Sequence, residues 1–263
     1  MKRARLVAGA VGALAVLALT ASTRAGSNAP AAPLAPAPVP VLVELFTSEG
    51  CSSCPPADEL LIDLVGKQPV EGALVVGLSE HVDYWNQLGW SDPFSSAALT
   101  ERQDAYARSA RTSRIYTPQA IVDGRVDVVG SDRGSLLRAV REASARAKPA
   151  VELTWVGSGA DGRKLRATLA AAPGLSGADV YLAVAEDGLE SAVARGENAG
   201  RTLRHAAVVR RLTKIGRTEK DGSFTGVVDV ATSPGWKPSA LHVVVFAQRG
   251  AKEILAIGAS RLW

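Results

Sequence analysis

Between residues 41 and 148 the chain alternates short, wholly apolar runs with stretches in which apolar side chains recur every three or four positions. Val41-Leu42-Val43-Glu44-Leu45-Phe46 has the composition of a buried central strand. It leads through Thr47-Ser48-Glu49-Gly50 into Cys51-Ser52-Ser53-Cys54. Pro55 and Pro56 can then start a helix, Leu60, Leu61, Leu64 and Val65 give it an apolar stripe, and Gly66 can stop it. Residues 73–79 predict a second strand, which after a crossover helix runs parallel to the first in the right-handed sense. A helix over about 94–110 carries Leu99, Gln103, Tyr106 and Ala110 along one side. Gln119-Ala120-Ile121-Val122, Asp123-Gly124 and Val126-Asp127-Val128-Val129 predict a hairpin, and residues 135–147 a closing helix.

After Lys148-Pro149 the pattern changes to β-type runs at 151–156, 165–171, 180–185, 203–212, 224–230, 241–247 and 254–259. Turn signals at Ala160-Asp161-Gly162, Pro173-Gly174, Asp187-Gly188, Asp221-Gly222 and Pro234-Gly235 separate them. The run 203–212 also fits a helical period. The expectation is an α/β domain over 41–148 followed by a smaller, mostly antiparallel, sandwich-like β domain over 149–263. Glu197, Asn198 and His205 read as ordinary loop and strand polar groups, so the second domain is assigned no chemistry.

The N-terminus alters what the charge means. Lys2, Arg3 and Arg5 precede an apolar run from Leu6 to Leu19, a secretory leader in layout and shorter than the roughly 20 apolar residues that span a bilayer. Cleavage is expected near Ala21 or Ala25, which makes residues 1–25 a signal peptide and leaves no stable membrane span. Residues 26–40, rich in Ala and Pro, read as a flexible tether. The expected location is periplasmic or secreted. The four cations of residues 1–25 equal the whole net charge of +4, so the remainder is near neutral despite a sequence pI of 9.2. No basic stripe with interleaved aromatics suggests nucleic acid.

The chain has two cysteines, both in one CxxC. So short a loop restrains the unfolded chain weakly, which makes pure stabilisation a poor reason for the pair. At a helix start the first thiolate is favoured by N-terminal amides and the dipole, so Cys51 is the candidate nucleophile and Cys54 the resolving thiol. The chemistry would need no cofactor beyond that redox-active disulfide, with a protein or small thiol or disulfide as substrate and an unidentified redox partner. His81-Val82-Asp83-Tyr84-Trp85 leaves the second parallel strand at the edge where Cys51 leaves the first. There His81 could tune the thiolate, shuttle protons, or join Cys51 and Cys54 around copper or another soft metal. Against that, a lone histidine and its neighbouring aromatics are more often packing residues. Arg102 and Gln103 by default belong to a solvated helix face.

The order strand, CxxC, helix, strand, helix, X-Pro, hairpin, helix resembles thioredoxin. That resemblance places Thr117-Pro118 at the cis-proline loop facing the disulfide, with Tyr116, Thr117 and Trp85 beside the substrate. From the residues alone a trans bond is the commoner state. Phe46–Asp58, His81–Trp85, Gly89–Phe94, Arg102-Gln103, Tyr116–Gln119 and Gly196-Glu197-Asn198-Ala199-Gly200 together resemble a bacterial family of predicted secreted proteins catalogued only as a domain of unknown function. The chain departs from thioredoxin in lacking Trp before Cys51 and in having Ser52-Ser53 between the cysteines, so the direction of electron flow stays open. Three readings follow. An exported thiol–disulfide oxidoreductase leads, a soft-metal carrier using Cys51, Cys54 and His81 is the alternative, and a non-catalytic adaptor with a structural disulfide comes third.

Overall fold

The computed structural model describes residues 37–159 and 162–262. The expected leader and most of the tether lie outside the described residues, as do Ala160 and Asp161 of the first turn signal. Among the described residues, no helix is long and apolar enough to cross a membrane.

The first half is built from β1 (Val39–Thr47), α1 (Pro55–Lys67), β2 (Ala73–His81), α2 (Ala97–Ser109), β3 (Gln119–Val122), β4 (Val126–Val129) and α3 (Arg133–Ser144). β1 is buried from Val41 onward and runs parallel to β2, with Thr47 opposite His81. On its other side it pairs antiparallel with β3, Phe46 facing Gln119. Asp123 and Gly124 both have positive φ, 49° and 68°, and are the central residues of a turn closed by the Arg125 amide on the Val122 carbonyl at 3.0 Å. Alternate residues of β1 serve two layers. Val41, Val43 and Leu45 meet Leu60, Leu61 and Leu64 of α1 and Leu136 and Val140 of α3. Leu42 joins Leu99 of α2 on the opposite face, where Phe46 also meets Tyr106.

The second half comprises β5 (Glu152–Gly159), β6 (Gly162–Leu169), β7 (Asp179–Glu186), β8 (Leu189–Ala192), β9 (Thr202–His205), β10 (Val208–Arg217), β11 (Phe224–Val230), β12 (Leu241–Arg249) and β13 (Glu253–Arg261). Its strands pair antiparallel with one another, as the alternating runs predict. They do not all form a separate sandwich. The eight-stranded sheet has the order β13-β12-β7-β10-β2-β1-β3-β4, so four C-terminal strands extend the N-terminal sheet through a parallel bridge from Val208 to Ser79. The three-stranded sheet β11-β6-β5 stacks on the extension, packing Leu165, Ala167 and Leu169 against Leu182, Val184, Val243 and Val245. A two-layer β arrangement is present, but one layer is shared.

Residues 203–212 are strand rather than helix. β9 alternates exposed and buried positions, and Ala207, at φ 53°, breaks the run before β10. β8 and β9 form a small hairpin of their own, whose connecting segment, residues 193–201, reaches back to the end of β1.

Candidate functional site

Cys51 and Cys54 form a disulfide at the junction of β1 and α1, with Cys54 in the N-cap position. Both residues are fully buried, while Ser52 and Ser53 between them are exposed. Pro55 and Pro56 carry no N–H, and the amides of Ala57 and Asp58 donate to the Cys54 carbonyl at 2.8 and 3.2 Å. The helix start therefore presents fewer free amides to a Cys51 thiolate than a generic N-terminus would. Ser53 partly compensates, its Oγ lying 3.3 Å from Cys51 Sγ.

The cover over the disulfide comes from the far half of the chain. Asn198 Nδ2 donates to the carbonyls of Glu49 (2.8 Å) and Cys51 (3.0 Å). Glu197 accepts the Ser52 amide at 3.0 Å, and the Ser52 hydroxyl together with that amide holds its carboxyl below the usual range. Arg201 donates to Asn198 Oδ1 at 2.8 Å and fixes the orientation of that amide. Gly196, at φ 76°, lies so close to Trp90 that a Cβ would sit 3.1 Å from the Trp90 Cβ. Glycine thus satisfies both the backbone sign and the close approach.

Beneath the loop lies a buried cluster of acids and histidines. The Glu49 carboxylate accepts from Trp90 Nε1 at 2.7 Å and lies 3.2 Å from His205 Nε2. The Glu49 amide donates to Asp92 at 2.9 Å, and the same Asp92 oxygen is 2.7 Å from His81 Nδ1. The His81 and His205 rings meet edge to face with centroids 4.8 Å apart, and Phe94 packs on both. Asp58, on α1, faces His205 Nδ1 at 4.0 Å, and neither of its carboxyl oxygens has a hydrogen-bond partner. Burial raises its pKa from 3.8 to about 7, partly offset by the charge of His205. The interaction of Asp92 with His81, together with two backbone amides, outweighs burial and lowers the Asp92 pKa.

The Thr117–Pro118 bond is cis. Since Gln119 pairs opposite Phe46, Pro118 falls at the same sheet edge as the CxxC loop. Gly130 lets β4 end against it, because a Cβ there would lie 3.2 Å from both Pro118 and Ala57. Trp85 packs beside Gly50 and donates from Nε1 to Thr117 Oγ1 at 2.8 Å. Tyr116 is turned to Asp127 at 2.5 Å on β4. Buried Gln103 donates to the Tyr116 carbonyl (2.8 Å) and Gln119 Oε1 (2.7 Å), while accepting from Tyr84 at 3.2 Å. It braces the proline loop from below.

Cys51, Cys54, Trp85, Thr117 and Pro118 are thus brought to one sheet edge. His81 is the last residue of β2 and fully buried, with Nδ1 committed to Asp92. Among the described residues, no group of three or more His, Cys, Asp or Glu is arranged to hold a metal ion. Arg102 is not on a solvated face, because it is ion-paired with Glu44 and Glu80 inside the protein. Glu49, Asp58, Asp92, Glu197, Asn198 and His205 are the site residues that sequence reasoning missed. The signals available were a carboxylate one helical turn after Cys54 and a polar Glu197-Asn198 pair framed by glycines.

The sequence model of a family described as "Protein of unknown function (DUF1223)" matches residues 42–248. No curated protein matches the chain significantly. Among solved structures, a crystal structure of a protein from Agrobacterium tumefaciens is 34% identical with a TM-score of 0.65, the match covering 86% of this chain and 95% of that one. HBP35 of Porphyromonas gingivalis is 16% identical with a TM-score of 0.65, covering 86% of this chain and 76% of that one, a likeness of fold.

Proposed function

We propose that this chain, which belongs to the DUF1223 family, is an exported thiol–disulfide oxidoreductase with a thioredoxin-like first half. The observation that carries this reading is the Cys51–Cys54 disulfide at a strand-to-helix junction, on the sheet edge shared with the Thr117–Pro118 loop. The strand order β2-β1-β3-β4, with β1 and β2 parallel, β3 antiparallel to β1 and β4 antiparallel to β3, supports the thioredoxin-like assignment.

In the reduced protein, Cys51 thiolate attacks one sulfur of a substrate disulfide. The new bond joins Cys51 to that sulfur, and the other substrate sulfur leaves as a thiolate. Cys54 then attacks Cys51, releasing the second substrate thiol and closing the protein disulfide, so two electrons pass from the cysteines to the substrate. Because both cysteines are buried, the shell around the CxxC, which includes the 193–201 segment bonded to Cys51 and Ser52, opens before a substrate reaches Cys51. The test is a Cys54→Ala variant, which should trap mixed disulfides through Cys51. An absence of adducts, together with no exchange between the wild type and dithiothreitol, would sink the proposal.

A second reading, an adaptor with a structural disulfide, is favoured by the complete burial of both cysteines. It requires a reduction potential below about −300 mV, in the range of structural disulfides. A less reducing value supports the oxidoreductase.

A further inference from the structure

Building on the oxidoreductase reading, we propose that Asp58 is an acid–base group for Cys54 and that His205, held by Glu49, is its positioning residue. The couple would tie the closing step at the CxxC to a histidine from the other half of the chain.

Three observations carry this. First, Asp58 is 3% exposed and neither carboxyl oxygen is hydrogen-bonded, an arrangement that a purely structural role would not favour. The Thr47 hydroxyl faces it without closing a bond. Secondly, Asp58 follows Cys54 by four positions, and its amide donates to the Cys54 carbonyl in helical fashion. Positions 54, 58 and 61 are all buried, so Cys54 and Asp58 share the inner face of α1, where such pairs have Cβ atoms about 5–6 Å apart. Thirdly, His205 Nδ1 also lacks a hydrogen bond and points to Asp58 at 4.0 Å, while Nε2 rests on Glu49 at 3.2 Å.

The groups facing Asp58 come from every neighbouring element. They are His205 on β9, Glu49 and Thr47 at the end of β1, and, one layer further, Asp92 and His81. A cleft of about 220 Å³, lined by Pro55, Pro56, Asp58, Glu59, Arg201 and Arg204 among others, opens next to Asp58, whose two carboxyl oxygens are themselves buried behind its wall. Proton exchange with water therefore requires that wall to open. Burial raises the Asp58 pKa to about 7, so both protonation states are accessible near neutrality.

The step balances as follows. In the mixed disulfide, Cys54 loses its S–H proton to the Asp58 carboxylate, and the Cys54 sulfur attacks Cys51 Sγ. The bond between Cys51 and the substrate breaks, and its electron pair leaves with the substrate thiolate. Asp58 then releases the proton to water when the wall of the cleft opens.

The test follows closure of the mixed disulfide formed between the reduced full chain and oxidised glutathione, from pH 5 to 9. The wild-type rate should rise through an inflection near pH 7. Asp58→Asn should slow closure at least about tenfold at pH 8 and abolish the inflection, and Asp58→Glu should restore it. His205→Gln should move the inflection to higher pH, which a structural role would not do. An Asp58→Asn profile superimposed on the wild type overturns the proposal. If the wild type reacts with neither dithiothreitol nor glutathione, the oxidoreductase reading itself has failed. A separate carbon-13 titration of the Asp58 carboxyl in oxidised and reduced protein then decides, because a midpoint unchanged by reduction overturns any coupling to the cysteines.

Discussion

Asn198 donates both hydrogens of its side-chain amide to the backbone at the redox loop, one to the Glu49 carbonyl and one to that of Cys51. These bonds tie the connecting segment of the β8–β9 hairpin to the end of β1. Asn198 is fully buried, so replacing it takes the donor from the Glu49 carbonyl and leaves the Cys51 carbonyl with the Cys54 amide alone. Asn198→Ala should cost about 1–3 kcal/mol in urea unfolding of the oxidised protein. It should also raise the rate of disulfide reduction by dithiothreitol, because the cover is then held chiefly by Glu197. A variant destabilised but reduced no faster would show that the segment does not limit access.

Glu197 is the exposed part of that cover, and its carboxylate accepts the amide next to Cys51. A negative charge there opposes formation of a second negative charge on the sulfur. Glu197→Gln should therefore increase iodoacetamide alkylation of reduced Cys51 at pH 7 by roughly two- to fivefold, and added salt should shrink the difference. Equal rates at low salt would remove Glu197 from any part in setting thiol reactivity.

The local parts of this architecture were legible from sequence because their causes are local. The apolar run at 41–46 announces β1, the prolines start α1, and Asp123-Gly124 turns the hairpin. Asn198 and His205 were illegible because their burial arises from a hairpin packing against a loop well over a hundred residues earlier. The same distance hid the bridge from Val208 to Ser79 that fuses the two halves into one sheet. Arg102 looked solvated because its helix neighbours Glu101 and Asp104 are charged. A clue lay elsewhere, in Glu44 and Glu80, which sit in otherwise apolar strands and require a buried cation. Asp58 offered a similar clue, placed one turn after Cys54.

Arg102 donates to Glu44 through Nε at 2.7 Å and lies 3.4 Å from Glu80; both acids are fully buried, and burial holds the Glu80 pKa well above its usual value even beside Arg102. It also reaches Gln248 and Tyr106, each at 3.2 Å, so one side chain joins α2 to β1, β2 and β12. Arg102→Met keeps much of the side-chain length but strands two acids. The expected loss is about 3–5 kcal/mol at pH 7, measured by urea unfolding. The loss should be smaller at pH 5, where unpaired buried carboxyls can be neutral. A pH-independent deficit would instead point to lost packing.

Asp58 gives the opposite result on substitution, because here the native charge is itself the burden. Its folded pKa of about 7 exceeds the ordinary 3.8, so the folded state prefers the protonated form. That preference contributes stability in full below about pH 4 and is lost as pH rises through 7. Roughly three pH units correspond to on the order of 4 kcal/mol between those limits. Asn is close in shape and cannot ionise. Asp58→Asn should thus unfold at higher urea than the oxidised wild type at pH 8, with the gap narrowing steadily toward pH 5. Together with the slower closure expected of the same variant, this separates two roles of one carboxyl, a cost to stability and a service to exchange. An Asn variant whose stability offset from the wild type stays constant between pH 5 and 8 would mean that Asp58 does not titrate in this range, and its part as an acid–base group would fall with it.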